Sequence, residues 1–323
     1  MRPIVGAVAI GLMLAAAVFA WQQQGGAQQQ VGFVYSNAST PGGIAQSAGP
    51  PQIPSCSSVG LPPGPQCDQL IARAREAYQN EINAMKAQAA AAKLLVQLAV
   101  VQQNPAGAGL MAASLMASVV GAIAIFLLAA AHFGGEWTGG TMAAVLSQDG
   151  RRWRLVAGKF VSLFLLAQGL LLVTWVFLAA LSLLFRAAYP LDGPSPLSIG
   201  DGFAIAGPAV LRSCLVTAAY CALGVLAAVM TRNTLGTLLL ATGGLLAWLM
   251  LETLPSIATL SIGYWISGWM GFTDAGFSSG QVMWGVPPGM TPSATIGFLA
   301  LLALIPAAGA ISAARFQRLD IAA

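Results

Sequence analysis

Long apolar stretches without a charged side chain alternate with short polar segments along the chain. Six of these stretches can cross a bilayer as helices, because about 20 apolar residues span its hydrocarbon core. They are Ile4–Trp21, Ala106–Phe133, Phe160–Phe185, Ser213–Met230, Leu235–Leu251 and Ile296–Ala314. The runs are continuous and do not alternate, which argues against a transmembrane β-barrel. The pattern predicts an all-α, polytopic membrane protein with six transmembrane helices.

Basic residues in the short loops predict the orientation, because loops rich in Lys and Arg stay cytoplasmic. They flank the spans on one side: Arg2; Arg151, Arg152, Arg154 and Lys159; Arg232; Arg315 and Arg318. Both termini are then cytoplasmic. The alternative for residues 1–21 is a cleaved secretory signal, since Val18-Phe19-Ala20 is typical of a cleavage site. Cleavage would leave five spans and the same cytoplasmic C-terminus.

The overall composition also indicates a membrane protein. Hydrophobic residues make up 57% of the 323 residues and charged residues 7%, against roughly a quarter charged in soluble domains. A water-soluble fold of this size is excluded. The net charge of +4 does not indicate nucleic-acid binding, because the basic residues are dispersed along loops that flank the membrane. We expect contacts with membrane lipid and none with nucleic acid.

Two segments of different composition follow the first span. Residues 22–66 are rich in Gln, Gly, Pro and Ser, which predicts an irregular extracytoplasmic loop. Residues 67–104 carry apolar side chains at helical spacing, which predicts an extracytoplasmic amphipathic helix. Its apolar stripe consists of Ile71, Tyr78, Ile82, Met85, Ala89 and Val96. We expect the stripe to pack on the outer ends of the other spans, with a partner-binding or membrane-surface function as the alternative. Residues 105–323 hold the other five helices.

The last predicted outside loop, residues 253–294, is rich in aromatic side chains. They are Tyr264, Trp265, Trp269, Phe272, Phe277 and Trp284. Because Trp and Tyr favour the headgroup level, this composition predicts short interfacial or re-entrant helices. A surface where a substrate leaves the membrane is the alternative.

The four cysteines fall into two pairs. Cys56 and Cys67 lie in the predicted outside segment, where an oxidising environment would allow a disulfide between them. Cys214 and Cys221 lie on one face of the fourth span and are expected to act as small packing residues. Nothing near them supplies further metal ligands, so we expect no metal site.

Catalytic motifs do not appear in a usable context. Residues 276–280 match G-x-S-x-G, but His132, the only histidine, is predicted at the opposite side of the membrane, so no base can reach Ser278. Gly158-Lys159 is followed by Phe160, which lacks the hydroxyl of a phosphate loop. We therefore expect no catalytic residue and no ATP hydrolysis by this chain. Glu252 abuts a span and is a weak candidate for proton coupling.

The predicted cytoplasmic loop 134–159 is the most informative segment. An acidic residue leaves the second span, a glycine pair permits a tight turn, and a brief predicted helix precedes a basic patch. These features are Glu136, Gly139-Gly140, Thr141 to Leu146, and Arg151, Arg152 and Lys159. Such a helix is well placed to dock in a groove of another subunit. An ordinary positive loop with a juxtamembrane turn is the alternative.

The order of residues in this loop resembles type-2 ATP-binding-cassette (ABC) exporter permeases. The shared order is Glu, three residues, Gly-Thr, an apolar residue, Leu-Ser, Arg, and a Gly-Lys that opens the next span. In this chain these positions are Glu136, Gly140-Thr141, Met142, Leu146-Ser147, Arg151 and Gly158-Lys159. The tail Phe316-Gln317-Arg318-Leu319-Asp320 is also similar to the end of that family.

The resemblance implies the permease subunit of an ABC exporter in a bacterial cytoplasmic (inner) membrane. It also implies separate ATPase subunits that bind ATP and magnesium, and a second permease that makes a homodimer or heterodimer. This chain would bind no cofactor itself. The implied coupling residues are Glu136, Gly140, Thr141, Met142, Leu146, Arg151, Arg152 and Lys159. The substrate is not implied.

Two other functions fit the residues without the resemblance. One is a membrane assembly or receptor protein that binds a partner through residues 22–104 and transports nothing. The other is a carrier that works without an ATPase, for which Glu252 is the only weak candidate for an intramembrane charge.

Overall fold

The structure, a computed structural model, describes residues 2–38, 64–139, 152–188, 197–252, 254, 256–271 and 293–317. Every regular element in these ranges is helical, which confirms the all-α class. The α-helices are α1 (Arg2–Ala38), α2 (Pro65–Gln102), α3 (Ala108–Ala117), α4 (Val119–Ala129), α5 (Gly135–Thr138), α6 (Arg152–Ala188), α7 (Ile199–Thr231), α8 (Thr234–Glu252), α9 (Ile262–Met270) and α10 (Ala294–Gln317). A π-helix (Ala130–Gly134) joins α4 to α5, and a 3-10 turn (Ala258–Leu260) precedes α9.

Five described segments are long and apolar enough to cross a membrane. They are Pro3–Gln22, Val119–Trp137, Trp153–Ala188, Ile199–Thr231 and Ala294–Gln317. The chain is therefore a multi-pass integral membrane protein, as predicted. The predicted span Leu235–Leu251 lies in α8, whose apolar stretch Thr234–Met250 is shorter than these five segments. A total of six spans and cytoplasmic termini remain predictions.

The predicted span Ala106–Phe133 is not one continuous helix. Its regular hydrogen bonding is interrupted at Ser118, which has extended backbone with ψ of 175°. The Ser118 hydroxyl donates to the Leu115 carbonyl (2.6 Å) and accepts from the Val120 N–H (3.2 Å), so it caps α4. The Tyr220 hydroxyl donates to the Ala117 carbonyl (2.8 Å). These bonds satisfy backbone groups that a break inside lipid would otherwise leave unpaired.

Part of the predicted irregular loop 22–66 is helical instead. Helix α1 continues from the first span to Ala38. Gln and Ala favour helices, and no proline follows Pro3 until Pro41, so nothing in this stretch forces the helix to end earlier. Residues 39–63 lie outside the described residues. The helix predicted over residues 67–104 is present as α2, and its extracytoplasmic location remains a prediction.

The chain divides into two units. One consists of Trp21–Val100 with Pro190–Ser195 and contains all but the last two residues of α2. On α2 the half-buried side chains recur at three- or four-residue steps and include three members of the predicted apolar stripe, whereas most neighbouring positions are exposed. These half-buried side chains are Ile71, Ala74, Tyr78 and Ile82. The helix is thus amphipathic over its first part.

The other unit consists of Met1–Ala20, Val101–Tyr189 and Pro196–Ala323. Helix α7 lies at its centre and packs against α3, α4, α6, α8 and α10. Small side chains permit these contacts: a Cβ on Gly224 would lie 2.7 Å from the Cβ of Ala129. Helix α1 joins the core through a line of residues four apart, namely Val8, Leu12, Ala16 and Ala20.

Asn104 holds the segment before α3 against the beginning of α7. Its buried side-chain amide donates to the carbonyls of Leu197 and Ser198 (both 2.9 Å). Its carbonyl oxygen accepts from the N–H groups of Ala106 (2.9 Å) and Gly107 (3.2 Å). All four hydrogen-bonding positions of the amide are therefore used.

Helices α7 and α8 are joined by a turn of two residues, Arg232 and Asn233. Arg232 is the one non-glycine residue with a positive φ (56°) among the described residues. Asn233 closes the turn, because its side chain accepts from the Gly236 N–H at the start of α8 and donates to the Thr231 carbonyl (2.9 Å). The two helices are consequently neighbours along the chain and in space.

Candidate coupling site

The structure describes part of the predicted coupling loop. Glu136 lies in α5 and Lys159 in the second turn of α6, so both ends of the loop are placed. Arg152 begins α6. Five predicted coupling residues lie outside the described residues, and the helix predicted from Thr141 to Leu146 stays a prediction. These five are Gly140, Thr141, Met142, Leu146 and Arg151.

An ion pair between Glu136 and Lys159 connects the two ends of the loop. The Lys159 ammonium contacts the Glu136 carboxylate, and the Lys159 and Glu136 side chains are 18% and 32% exposed. It is the one salt bridge between residues that the structure describes. Because both side chains are largely withdrawn from water, the pair is screened less than one on an open surface.

A second contact joins the same two helical segments. The His132 Nε2 atom lies 2.7 Å from the Ser162 hydroxyl, and that hydroxyl donates to the Lys159 carbonyl (3.0 Å). The histidine tautomer decides which of the two atoms donates in this hydrogen bond. His132 and Glu136 are four residues apart, and Lys159 and Ser162 three apart, so each pair lies on one helix face. Two polar bonds thus fix α6 to the loop's first end.

Aromatic rings connect the same end of the loop to the end of α10. Phe316 is fully buried and meets Trp137 and Phe133 edge to face, with ring centroids 6.0 and 6.4 Å away. Edge-to-face aromatic pairs are favourable beyond the area they bury. The loop motif and the tail motif are therefore parts of one cluster, although Arg318, Leu319 and Asp320 lie outside the described residues.

A close backbone approach adds α8 to the cluster. A Cβ on Gly134 would lie 2.8 Å from the Cα of Thr234 and 3.1 Å from the Asn233 carbonyl carbon. Only glycine permits this distance without displacing backbone. The segment His132–Trp137 thus contacts three further helices, α6, α8 and α10, and we call these contacts the junction.

The junction joins the helices through an ion pair, a hydrogen bond and aromatic contacts. No cluster of His, Cys, Asp and Glu able to hold a metal occurs among the residues searched, which are the described ones. The G-x-S-x-G match at residues 276–280 lies outside them. Glu252 ends α8, and its proposed function in proton coupling is not tested.

The predicted cysteine pairing is not tested, because Cys56 lies outside the described residues and Cys67 is placed only as part of α2. Cys214 and Cys221 are free thiols in α7. Cys214 lies beside Gln168 of α6, with its sulfur 3.3 Å from the Gln168 side-chain oxygen. Both cysteines therefore contribute to helix packing, as predicted.

Sequence reasoning identified Glu136, Lys159 and the tail motif but missed His132, Gly134, Trp137 and Ser162. The spacing of His132 from Glu136 and of Lys159 from Ser162 is a signal that could have indicated two polar faces opposite each other. No local pattern indicates that Gly134 meets Thr234, because that contact depends on tertiary packing.

A protein-family model described as ABC-2 family transporter protein matches residues 66–321. No curated protein and no solved structure matches the chain significantly. The matched region begins at the start of α2 and ends just beyond α10, so it contains the whole junction.

Proposed function

Because the chain belongs to the ABC-2 transporter family, we propose that this ABC permease subunit exports its substrate across a bacterial cytoplasmic membrane. The energy comes from ATP hydrolysed by a separate ATPase subunit, which holds the nucleotide and magnesium. A second permease, identical or different, completes the path. The junction is the observation that supports this proposal.

Through the junction, a movement of the loop between α5 and α6 can be transmitted to the helices that the junction joins. The Glu136–Lys159 pair closes the base of the loop, so a push on residues 140–151 reaches both helices together. Through Phe316 and Gly134 the same push reaches α10 and α8. A partner that contacts only this loop can therefore move four helical segments.

Differential binding supplies the direction of that movement. ATP-bound ATPase subunits draw together and favour one arrangement of the docked loops, and release of the products favours the other. Helices α6, α8 and α10 move with the loop because the junction connects their ends to it. Without the junction, the loop could move and leave these helices in place.

Copurification tests the proposal most directly. The chain is expressed with candidate ATPase subunits, purified in mild detergent and assayed for bound ATPase and for substrate-dependent ATP hydrolysis. We expect a stable complex whose hydrolysis depends on the permease. A permease that retains no ATPase under these conditions would support a non-transporting function instead.

Charge exchange at the junction tests the coupling step. E136Q and K159Q are expected to leave insertion and ATPase binding intact and to lower coupled export about tenfold, the size of a typical coupling energy. The double variant E136K/K159E restores the opposite charges and should recover part of the activity. R154Q, an exposed charge on the same helix without a described carboxylate partner, is the matched control.

Substitution of Gly140 tests the loop itself. A bulky side chain there is expected to weaken ATPase association without affecting insertion. If the two single charge variants and the Gly140 variant all couple like the wild type, the loop between α5 and α6 is not the coupling element.

A further inference from the structure

Arg212 is a charged residue that takes no part in the junction. It lies in α7 and is exposed, and its guanidinium carbon lies 5.6 Å from the centroid of the Trp269 ring. No described carboxylate pairs with it, and no described residue accepts a hydrogen bond from its guanidinium. Among the residues that the structure describes, its positive charge thus has no carboxylate partner and its donors have no acceptor, and it lies next to an aromatic face.

Contacts with α7 and α10 hold the Trp269 ring in place. The Trp269 indole N–H donates to the Arg212 carbonyl (2.9 Å), which fixes the ring beside the guanidinium. The Trp269 ring also meets Phe298 of α10, with centroids 4.9 Å apart. A Cβ on Gly297 would lie 2.8 Å from the Trp269 backbone nitrogen, so α9 and α10 are in close contact.

Two helices place this pair one bilayer thickness from the junction. Arg212 precedes the end of α7 at Thr231 by about 28 Å of helix, at 1.5 Å per residue. Phe298, next to Trp269, precedes Phe316 of the junction by about 27 Å of helix on the same basis. Both lengths approach the hydrocarbon thickness of about 30 Å, so a junction at one membrane surface puts Arg212 and Trp269 near the headgroup level of the other.

Helix α9 has the features of an interfacial helix. Ile262, Ile266 and Met270 are buried, whereas Trp265 and Trp269 are partly exposed. Tryptophans of this kind favour the headgroup region, where lipid phosphates lie. A guanidinium is suited to a phosphate because its planar donors match the phosphate oxygens.

We propose that Arg212 and Trp269 bind the phosphate of an anionic phospholipid at the membrane surface opposite the junction. An anionic lipid is favoured over a zwitterionic one because the site carries a net positive charge that a zwitterionic headgroup already balances within itself. The acyl chains lie along the apolar surface of α7, where Leu211 is 74% exposed. This inference does not depend on the transported substrate.

Lipid titration of the full chain in nanodiscs tests the site. Phosphatidylglycerol is added to phosphatidylcholine nanodiscs, and its binding is followed by the rise in melting temperature and by the lipid retained in native mass spectrometry. We expect R212Q to bind phosphatidylglycerol about fivefold more weakly, since the direct ion pair between the guanidinium and the lipid phosphate is lost. R212K, which keeps the charge without the planar group, should give an intermediate loss.

The control variant is R186Q. Arg186 is exposed near the end of α6 and stacks on no described ring, so its replacement should leave lipid binding unchanged. Equal binding by R212Q and wild type, or an equal loss in R186Q, would overturn the proposal. So would equal affinity of the wild type for the two lipids.

Two further experiments test whether an anion other than the phospholipid occupies the site. Inorganic phosphate should not displace phosphatidylglycerol, because it lacks the acyl chains; displacement would indicate a site for free phosphate. D274N tests whether a carboxylate of this chain neutralises Arg212, since Asp274 follows Gly271 closely in sequence. A lipid preference seen in D274N but absent from the wild type would overturn the proposal.

Discussion

Helix α7 and the two helices nearest the chain ends are similarly apolar, yet the protein uses them differently. In the most apolar 18 residues of α7, 61% of the positions are buried inside the protein, against 17% in the corresponding stretches of Pro3–Gln22 and Ala294–Gln317. Apolar composition thus identifies segments that leave water but not those that contact other helices. Contact between helices depends on small residues and internal hydrogen bonds. The two outer helices leave most of their apolar surface exposed in this chain.

Removing the Asn104 amide should have the largest effect on the central helix. N104A deletes four hydrogen bonds and leaves backbone groups at the start of α7 unpaired, so we expect a loss of about 2–4 kcal/mol of unfolding free energy. Unfolding in mixed micelles with rising dodecyl sulfate, followed by tryptophan fluorescence, measures it. S293A is the control on the outer helix α10, because its single long bond to the Ile296 N–H (3.5 Å) is exposed. Equal losses would contradict the contrast between the helices.

Adding one methyl group at a glycine should lower stability in α7 but not in α10. G224A places a Cβ against Ala129 and is expected to cost about 1–3 kcal/mol through overpacking. G309A in α10 meets nothing within 4 Å and should leave stability unchanged or slightly raised. The same unfolding assay compares them. If G224A were as stable as G309A, close packing around α7 would not be what stabilises it.

Removing one hydroxyl should have the smallest effect. Y220F loses the bond to the Ala117 carbonyl beside the break at Ser118, and we expect a loss of about 1 kcal/mol. Tyr264 is only partly buried in α9, so Y264F should change stability less. Circular dichroism during thermal unfolding measures both variants. A larger loss in Y264F would indicate that the break is stabilised by packing alone.

The fold class and one side of the junction could be predicted from the sequence. Glu136 and Lys159 bracket a polar loop between apolar spans, and charge patterns of that kind are local. The contact between Trp137 and Phe316 is not local, since the two residues are far apart in the chain and only packing brings them together. The conformation of the loop beyond Gly139 remains a prediction.

The break at Ser118 and the helical extension to Ala38 were missed for different reasons. Around Ser118 almost every residue is apolar, so periodicity cannot show where helical hydrogen bonding stops; Ser118 itself, a good cap, was the available signal. In residues 22–38 the polar composition suggested a loop, but composition reports solubility more than backbone conformation. Helix propensity was the better guide there.

The turn at Arg232 and Asn233 has a consequence for how the chain enters the membrane. With two residues between them, we expect α7 and α8 to enter the bilayer together as a hairpin. Arg232, at the tip, is then predicted to stay on the side where the chain is synthesised. We expect the short helix α8 to owe its insertion to its longer neighbour.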